Sequence, residues 1–213
     1  MFGETTEIIG AEDILAARAV NEEVRARILE AVRWIEERVL ATGEDIRTMN
    51  PVPENIAAGI SSLEEKSLGA IYKAGHQPIQ GVLRYAERPS GHGLYLVDNW
   101  MGPNSIFPGY AAAGAQLTIF QYGGGASART VLDPSPAVTS PLLWTSANPK
   151  TYAIAGESLD FYSGMVIEGA ESIEEAGERL LRLVVDIASG TLTRGETVNY
   201  ADPIEVYGVD PLF

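Results

Sequence analysis

The sequence predicts an α/β fold: a three-layer, Rossmann-like domain with a mainly parallel sheet and long flanking helices. Two observations carry the prediction. A short apolar run, GHGLYLVDN (91–99), is followed by a helix-length segment, SIFPGYAAAGA (105–115), and then by a second apolar run, AQLTIFQYGGGAS (115–127). Strand, short helix and strand at this spacing read as a βαβ unit, whose strands lie parallel with a right-handed crossover. The second observation is a pair of long apolar-periodic segments, 12–42 and 172–190, able to cover such a sheet.

The elements follow in chain order. In 12–42, Val24, Ile28, Ala31, Val32, Ile35 and Val39 recur at helical spacing, and Gly43 stands where a helix would end. The segment reads as two helical pieces, with Asn21 capping the second and Glu22 and Glu23 suited to its positive N-terminal end. A long non-periodic loop from Asn50 follows, of a length that is uncommon in compact domains unless functional or disordered. A helix over about 63–74 comes next, where Ser62 and Glu65 have the S-x-x-E spacing of a capping box. SPLLWTSANP (140–149) reads as another strand, and 172–190 as an amphipathic helix with Ser172 and Glu175 as its capping box and Gly190 at its end. With no internal repeat, residues 1–213 read as one α/β domain.

Composition narrows the function. Acidic residues outnumber basic ones 29 to 15, for a net charge of −14. Nucleic acid and anionic membranes demand clustered Lys and Arg, so neither is an expected partner. There is no cysteine, which removes thiolate ligands, cysteine nucleophiles and disulfides. No apolar stretch approaches the roughly 20 residues of a membrane helix. The N-terminus MFGETTEIIGAED is acidic and unlike a signal peptide, so the expected location is the cytoplasm. His76 and His92 stand in turn contexts, AGHQP and SGHG, without metal-ligand spacing.

Ligands of open parallel sheets sit beyond the carboxyl ends of the strands. That rim carries Asp98, Asn99 and Trp100 after one strand and Tyr122 to Ser127 after the next. Glu4, Thr5, Thr6 and Glu7 join it if the chain opens on a strand end. The glycine loop YGGGAS could cradle a phosphate, yet it matches neither phosphate-binding fingerprint, and a tight turn is the plainer reading. The acids Glu4, Glu7, Glu12 and Asp13 could bind a divalent cation, although acids ahead of a helix are commonplace. Glu64, Glu65 and Lys66 crowd one helix start. The two acids suit the helix dipole there, whereas Lys66 opposes it and so asks for another explanation.

The stretch NPVPENIAAGISSLEEKSLGAIYKAG (50–75) closely resembles the UxaA family of sugar-acid dehydratases, which includes altronate and galactarate dehydratases and a sulfolactate lyase subunit. Four further stretches agree in the same order: GETTEIIGAEDILAARAVNEEV (3–24), PIQGVLRYAERPSGHGLYLVDN (78–99), AAGAQLTIF (112–120) and EGAESIEEAGERLLRLVVDIASG (168–190). Residues 191–213 form a divergent tail beyond the resemblance.

The resemblance implies a hydro-lyase that removes the proton α to a carboxylate and expels the β-hydroxyl as water, giving a 2-keto-3-deoxy acid. It implies Lys66, Glu65 and Asp98 as catalytic residues, Lys66 neutralising a substrate carboxylate or the enolate. It implies Thr5, Asn50 and Ser67 for the substrate, to which the glycine loop adds Gly123 and Gly124, and Glu4 and Glu7 for a metal. The cofactor it implies is a divalent metal, iron or manganese, held mainly by an upstream domain absent from this chain. That domain or subunit and a homo-oligomeric assembly are the expected partners. The long loop is expected to fold over the strand ends. Two departures stand out. Where the family reads like F-T-T-G-R-G-S, this chain has Phe120-Gln121-Tyr122-Gly123-Gly124-Gly125-Ala126; for an acidic D-D-I-D-I-N stretch it has Glu157-Ser158-Leu159-Asp160-Phe161-Tyr162. The alternative they raise is a non-catalytic relative that binds sugar acids or scaffolds an assembly.

Overall fold

Helical spacing of apolar residues sets the first half of the chain. A computed structural model describes residues 1–100, 102–123, 140–199 and 207–208. Met1–Gly114 with Tyr207 forms one compact unit, and a second begins at Ala115.

In the first unit a 3-10 turn, Thr5–Glu7, leads to α1 (Glu12–Ala16) and α2 (Glu22–Ala41). All six apolar residues of the expected stripe on α2 are buried, and the Asn21 side chain accepts the Val24 N–H as its cap. Gly43 follows with φ +88°, the left-handed conformation that glycine adopts without strain. Next come α3 (Ile46–Met49), α4 (Pro53–Ala57) and α5 (Leu63–Lys73). The long loop thus holds a short helix, α4, in place of the wholly non-periodic segment expected.

The capping box expected at α5 forms only by half. Ser62 accepts the Glu65 N–H at 3.2 Å, but the Glu65 carboxylate turns to Ser61, taking its N–H at 2.7 Å and its hydroxyl at 2.6 Å. Two donors on Ser61 outcompete the single N–H that a closed box would offer.

Strands β1 (Ile79–Leu83) and β2 (Leu94–Val97) pair in parallel. β1 is the strand that the sequence reading missed. Bridges at Ala19↔Ile79 and Phe2↔Leu96, both parallel, extend the sheet on either side. Alternation of strand side chains, shifted in β1 by a bulge between Ile79 and Gly81, divides the sheet's two faces. Ile79, Val82 and Leu96 join the core of α1, α2 and α5, while Leu83, Tyr95 and Val97 pack with Tyr110 of α6 (Pro103–Ala112). Within this unit the order is helix, parallel sheet, helix.

The second unit has β3 (Thr118–Tyr122), β4 (Leu142–Ser146), α7 (Pro149–Ala155), β5 (Phe161–Tyr162), α8 (Gly164–Ile167), α9 (Ile173–Ala188) and α10 (Arg194–Thr197). Its strands are parallel in the order β3-β4-β5, with β4 buried along its length. α9 has the expected capping box of Ser172 and Glu175. Replacing Ser172 with alanine should cost about 1 kcal/mol in urea unfolding. Asp160 accepts the Trp144 N–H at 2.8 Å and the Arg194 N–H at 2.7 Å, so it braces β4 against the start of α10.

Parallel pairing agrees with the expected α/β class. The expected βαβ unit over 91–127 does not: β2 pairs with β1, and β3 with β4. Each strand found a partner that local patterning could not reveal, because β1 and β4 lie outside that stretch. Among the described residues no helix is long and apolar enough to cross a membrane.

Candidate active site

The site begins where the N-terminus meets β2. Phe2 donates its N–H to Tyr95 O at 2.9 Å and accepts the Val97 N–H at 2.8 Å. Gly3 then turns the chain at φ +141°, with the carbonyl oxygen of Val97 only 2.7 Å from where a Cβ would stand. Any side chain here would combine left-handed strain with a backbone clash. Gly3→Ala should cost about 2–3 kcal/mol and free the N-terminus from the sheet, seen as faster amide exchange at Phe2 and Val97. Unchanged exchange would contradict this reading.

Beyond Gly3, Thr5 locks the turn to the strand end. Its Oγ1 donates to Asp98 at 2.8 Å and accepts the Asn99 N–H at 3.2 Å, and its own N–H meets Asn99 O at 3.1 Å. Thr5 is fully buried, so its hydroxyl acts in holding this rim together.

Around Glu4 and Glu7 the rim gathers charge. Lys66 places Nζ 2.8 Å from Glu7 Oε1 and donates to Asn50 Oδ1 at 2.7 Å. The pair is mostly enclosed, with the Lys66 side chain 16% and the Glu7 side chain 18% exposed. Glu4 is half-buried, and burial, then the neighbouring Glu7, raises its carboxyl to about 8. Lys66, Lys73 and a hydrogen bond from the Gly102 backbone pull the other way. A carboxyl in that position is largely protonated at neutral pH. Lys73 lies seven residues beyond Lys66 on the same stripe of α5. Its chain is exposed, but burial around the ammonium lowers its pKa, against the pull of Glu7 and Glu4.

Helix geometry explains why only one of the charged triplet enters. Consecutive residues on a helix point about 100° apart. Glu64 goes to Arg47, with 3.8 Å between charged atoms, Glu65 to Ser61, and Lys66 inward to Glu7 and Asn50. Ser67, fully buried, donates to Ile9 O at 2.8 Å, fastening α5 to the 3-10 turn's exit.

The structure therefore brings together Glu4, Glu7, Asn50 and Lys66 of the residues that the sequence nominated. Asp98 is held by Thr5 and interacts with Arg27; burial raises its pKa. It lines a cavity of about 760 Å³ with Arg27, Tyr85, Trp100 and Tyr207 on the α2 side of β2. Glu65 and Ser67 have the capping and fastening partners described above. Gly123 belongs to the second unit, where its carbonyl accepts the Thr151 hydroxyl at 3.0 Å. Gly124 lies outside the described residues. His76 and His92 are both exposed.

Three groups went unnominated. Lys73 was signalled by its i+7 spacing from Lys66, with only small residues at Gly69 and Ala70 between them on that side. Asn99 stands on the rim predicted for ligands, with nothing in its local sequence to distinguish it. Tyr110 carried no signal, because the segment around it reads as a plain apolar helix. Its hydroxyl nonetheless donates to Gly3 O, and Asn99 hydrogen-bonds to that hydroxyl.

The donor set does not suit a divalent ion. Among the described residues no three of His, Asp and Glu converge. One of the two carboxylates is in contact with Lys66, both feel Lys73, and the unused atom of Asn50 is an N–H donor. Divalent cations instead take several oxygen ligands.

Fold and cluster together define an α/β protein with a cluster of buried charged groups near the carboxyl ends of parallel strands. The chain belongs to the family described as D-galactarate/altronate dehydratase, C-terminal, whose model matches residues 1–207. Galactarate dehydratase (L-threo-forming) of Escherichia coli K12 is 32% identical over 190 residues, 89% of this chain and 35% of that protein. The beta subunit of (2R)-sulfolactate sulfo-lyase from Chromohalobacter salexigens is 30% identical over 204 residues, 95% of this chain and 51% of that protein. Altronate dehydratase of Bacillus subtilis 168 is 31% identical over 199 residues, 93% of this chain and 38% of that protein. The chain thus spans between about a third and a half of the length of these relatives.

Proposed function

We propose that this chain supplies the carboxylate-binding and proton-donating part of a site that dehydrates a sugar acid of the galactarate or altronate type. The observation that carries the reading is Lys66, fixed by Glu7 and Asn50 beside a Glu4 that keeps its proton near neutral pH. A proton α to a carboxylate is a weak acid, so its removal requires the developing enolate charge to be stabilised. Lys66 and Lys73 place two positive charges where a substrate carboxylate would sit. Glu4 then gives its proton to the departing β-hydroxyl, a role suited to a carboxyl whose pKa lies close to the working pH.

The remaining machinery, including the base that takes the α-proton, belongs to the further portion that the relatives possess, as a domain or a separate subunit. A metal used by the complete enzyme draws its ligands from there too, because Glu4 and Glu7 have lysines for company. Asp98 and Glu65 act on this reading by shaping the rim and the α5 start.

The test is a thermal-shift series on the full chain with galactarate, altronate and (2R)-sulfolactate, in wild type and Lys66→Met. At about a hundredfold excess over the dissociation constant a bound acid adds roughly 2.7 kcal/mol. The expected result is a midpoint several degrees higher for at least one acid, lost in the variant. Acids that leave the wild-type midpoint unmoved at millimolar concentration would refute the proposal.

A further inference from the structure

Two buried asparagines flank the charged cluster, and each has half of its amide engaged and half unused. Asn50 is fully buried. Its Oδ1 takes the Lys66 ammonium, which fixes Nδ2 as the other end, and Nδ2 has no partner among the described residues. Asn99 is 2% exposed; its Oδ1 has no partner among the described residues, and its side chain hydrogen-bonds to the Tyr110 hydroxyl. That hydroxyl in turn donates to Gly3 O, so it receives from Nδ2 of Asn99. The amide orientations are therefore set by the network. Among the described residues this leaves one unused donor and one unused acceptor on the two amides.

Buried polar groups without partners cost about 1–3 kcal/mol each and are rare in native structures. Two of them stand here, Asn50 beside Lys66 and Asn99 beside Tyr110, whose hydroxyl feels the charge of Glu4, and at each a ligand or an ordered water completes the bonding. A ligand that satisfies both needs an acceptor for Asn50 Nδ2 and a hydroxyl proton for Asn99 Oδ1. We infer that Asn50, with Lys66, reads the substrate carboxylate, and that Asn99 reads the hydroxyl next to it, so that this chain selects 2-hydroxy acids over plain carboxylic acids.

The inference rests on the proposed function and sharpens it. Galactarate, altronate and sulfolactate, which name the three relatives' substrates, differ in length and leaving group but share a carboxylate bearing a hydroxyl on its α-carbon. A reader of that shared unit belongs in the segment that all three match. A missing hydroxyl leaves Asn99 Oδ1 buried and unpaired, and sites built this way discriminate more strongly than apolar pockets.

The test compares galactarate with adipate, the same six-carbon diacid without hydroxyls, by calorimetric titration of the full chain. Wild type should bind galactarate at least tenfold more tightly, and Asn99→Ala should bring the two acids level by weakening galactarate alone. Lys66→Met should weaken both. Equal binding of the two acids by wild type, or a preference that survives Asn99→Ala, overturns the assignment of Asn99 while leaving carboxylate binding by Lys66 in place. Failure of wild type to bind either acid overturns the proposed function, and the assignment with it. Side-chain amide NMR of the wild-type chain guards against an unfolded variant. Galactarate should shift the Asn99 amide signals and adipate should not, whereas both should shift those of Asn50.

Discussion

Lys66→Met is expected to destabilise the chain by about 3 kcal/mol in urea unfolding. Methionine keeps most of the side chain's length, so little packing is lost. What changes is that Glu7 loses an ammonium 2.8 Å away, and the fully buried Asn50 loses the Lys66 donor to Oδ1, at 2.7 Å. Removing one member of an enclosed charge pair leaves the other charge uncompensated, which typically costs more than the pair contributed while intact. Glu7→Gln in the same chain should restore part of the loss, giving a coupling of about 1–2 kcal/mol between the two positions. Additive effects would mean that Lys66 and Glu7 do not depend on each other, and the site would lose its central contact.

Stability should fall as pH rises from 5 to 9, and Glu4→Gln should remove much of that slope. The Glu4 carboxyl titrates at about 8 in the folded chain against 4.5 for the ordinary group. Between those values the folded state holds a proton that the unfolded state has released, so raising pH favours unfolding. The contribution is complete below about 4.5 and is lost as pH passes 8. A displacement of this size corresponds to a loss on the order of 4 kcal/mol at the alkaline end. Glu7, Lys66, Lys73 and Tyr110 face the carboxyl, which makes Glu4→Gln the right comparison: it keeps the shape and removes the proton. Urea midpoints at pH 5 and pH 9 decide the matter. A wild-type slope no steeper than that of the variant would show that Glu4 ionises in the ordinary carboxylate range.

Local chemistry made much of this legible. The α2 stripe, its Asn21 cap, the Ser172 box and the glycines at 43 and 190 are decided by residues within a turn or two of each other, and they came out as expected. The crowding at 64–66 was visible as well, because a lysine in the first turn of a helix contradicts its dipole and needs a partner from elsewhere. The resemblance then drew attention to the same lysine from a different direction.

The sequence by itself determined the long helices α2, α5 and α9, the strands β2, β3 and β4, the α/β class, and a short list of polar residues at the strand ends; β1 and α4 carried no such local signal. Only the tertiary structure decided which strand pairs with which. It also decided that Lys66 meets Glu7 and Asn50, that Glu65 turns away to Ser61, and that Asp98 answers to Thr5 and Arg27. Periodicity fixes the side of an element a residue occupies, because it follows from backbone geometry alone. Partners separated by 16, 59 or 93 positions meet only when the whole core closes, and burial then sets the protonation of a group such as Glu4, which no local pattern encodes.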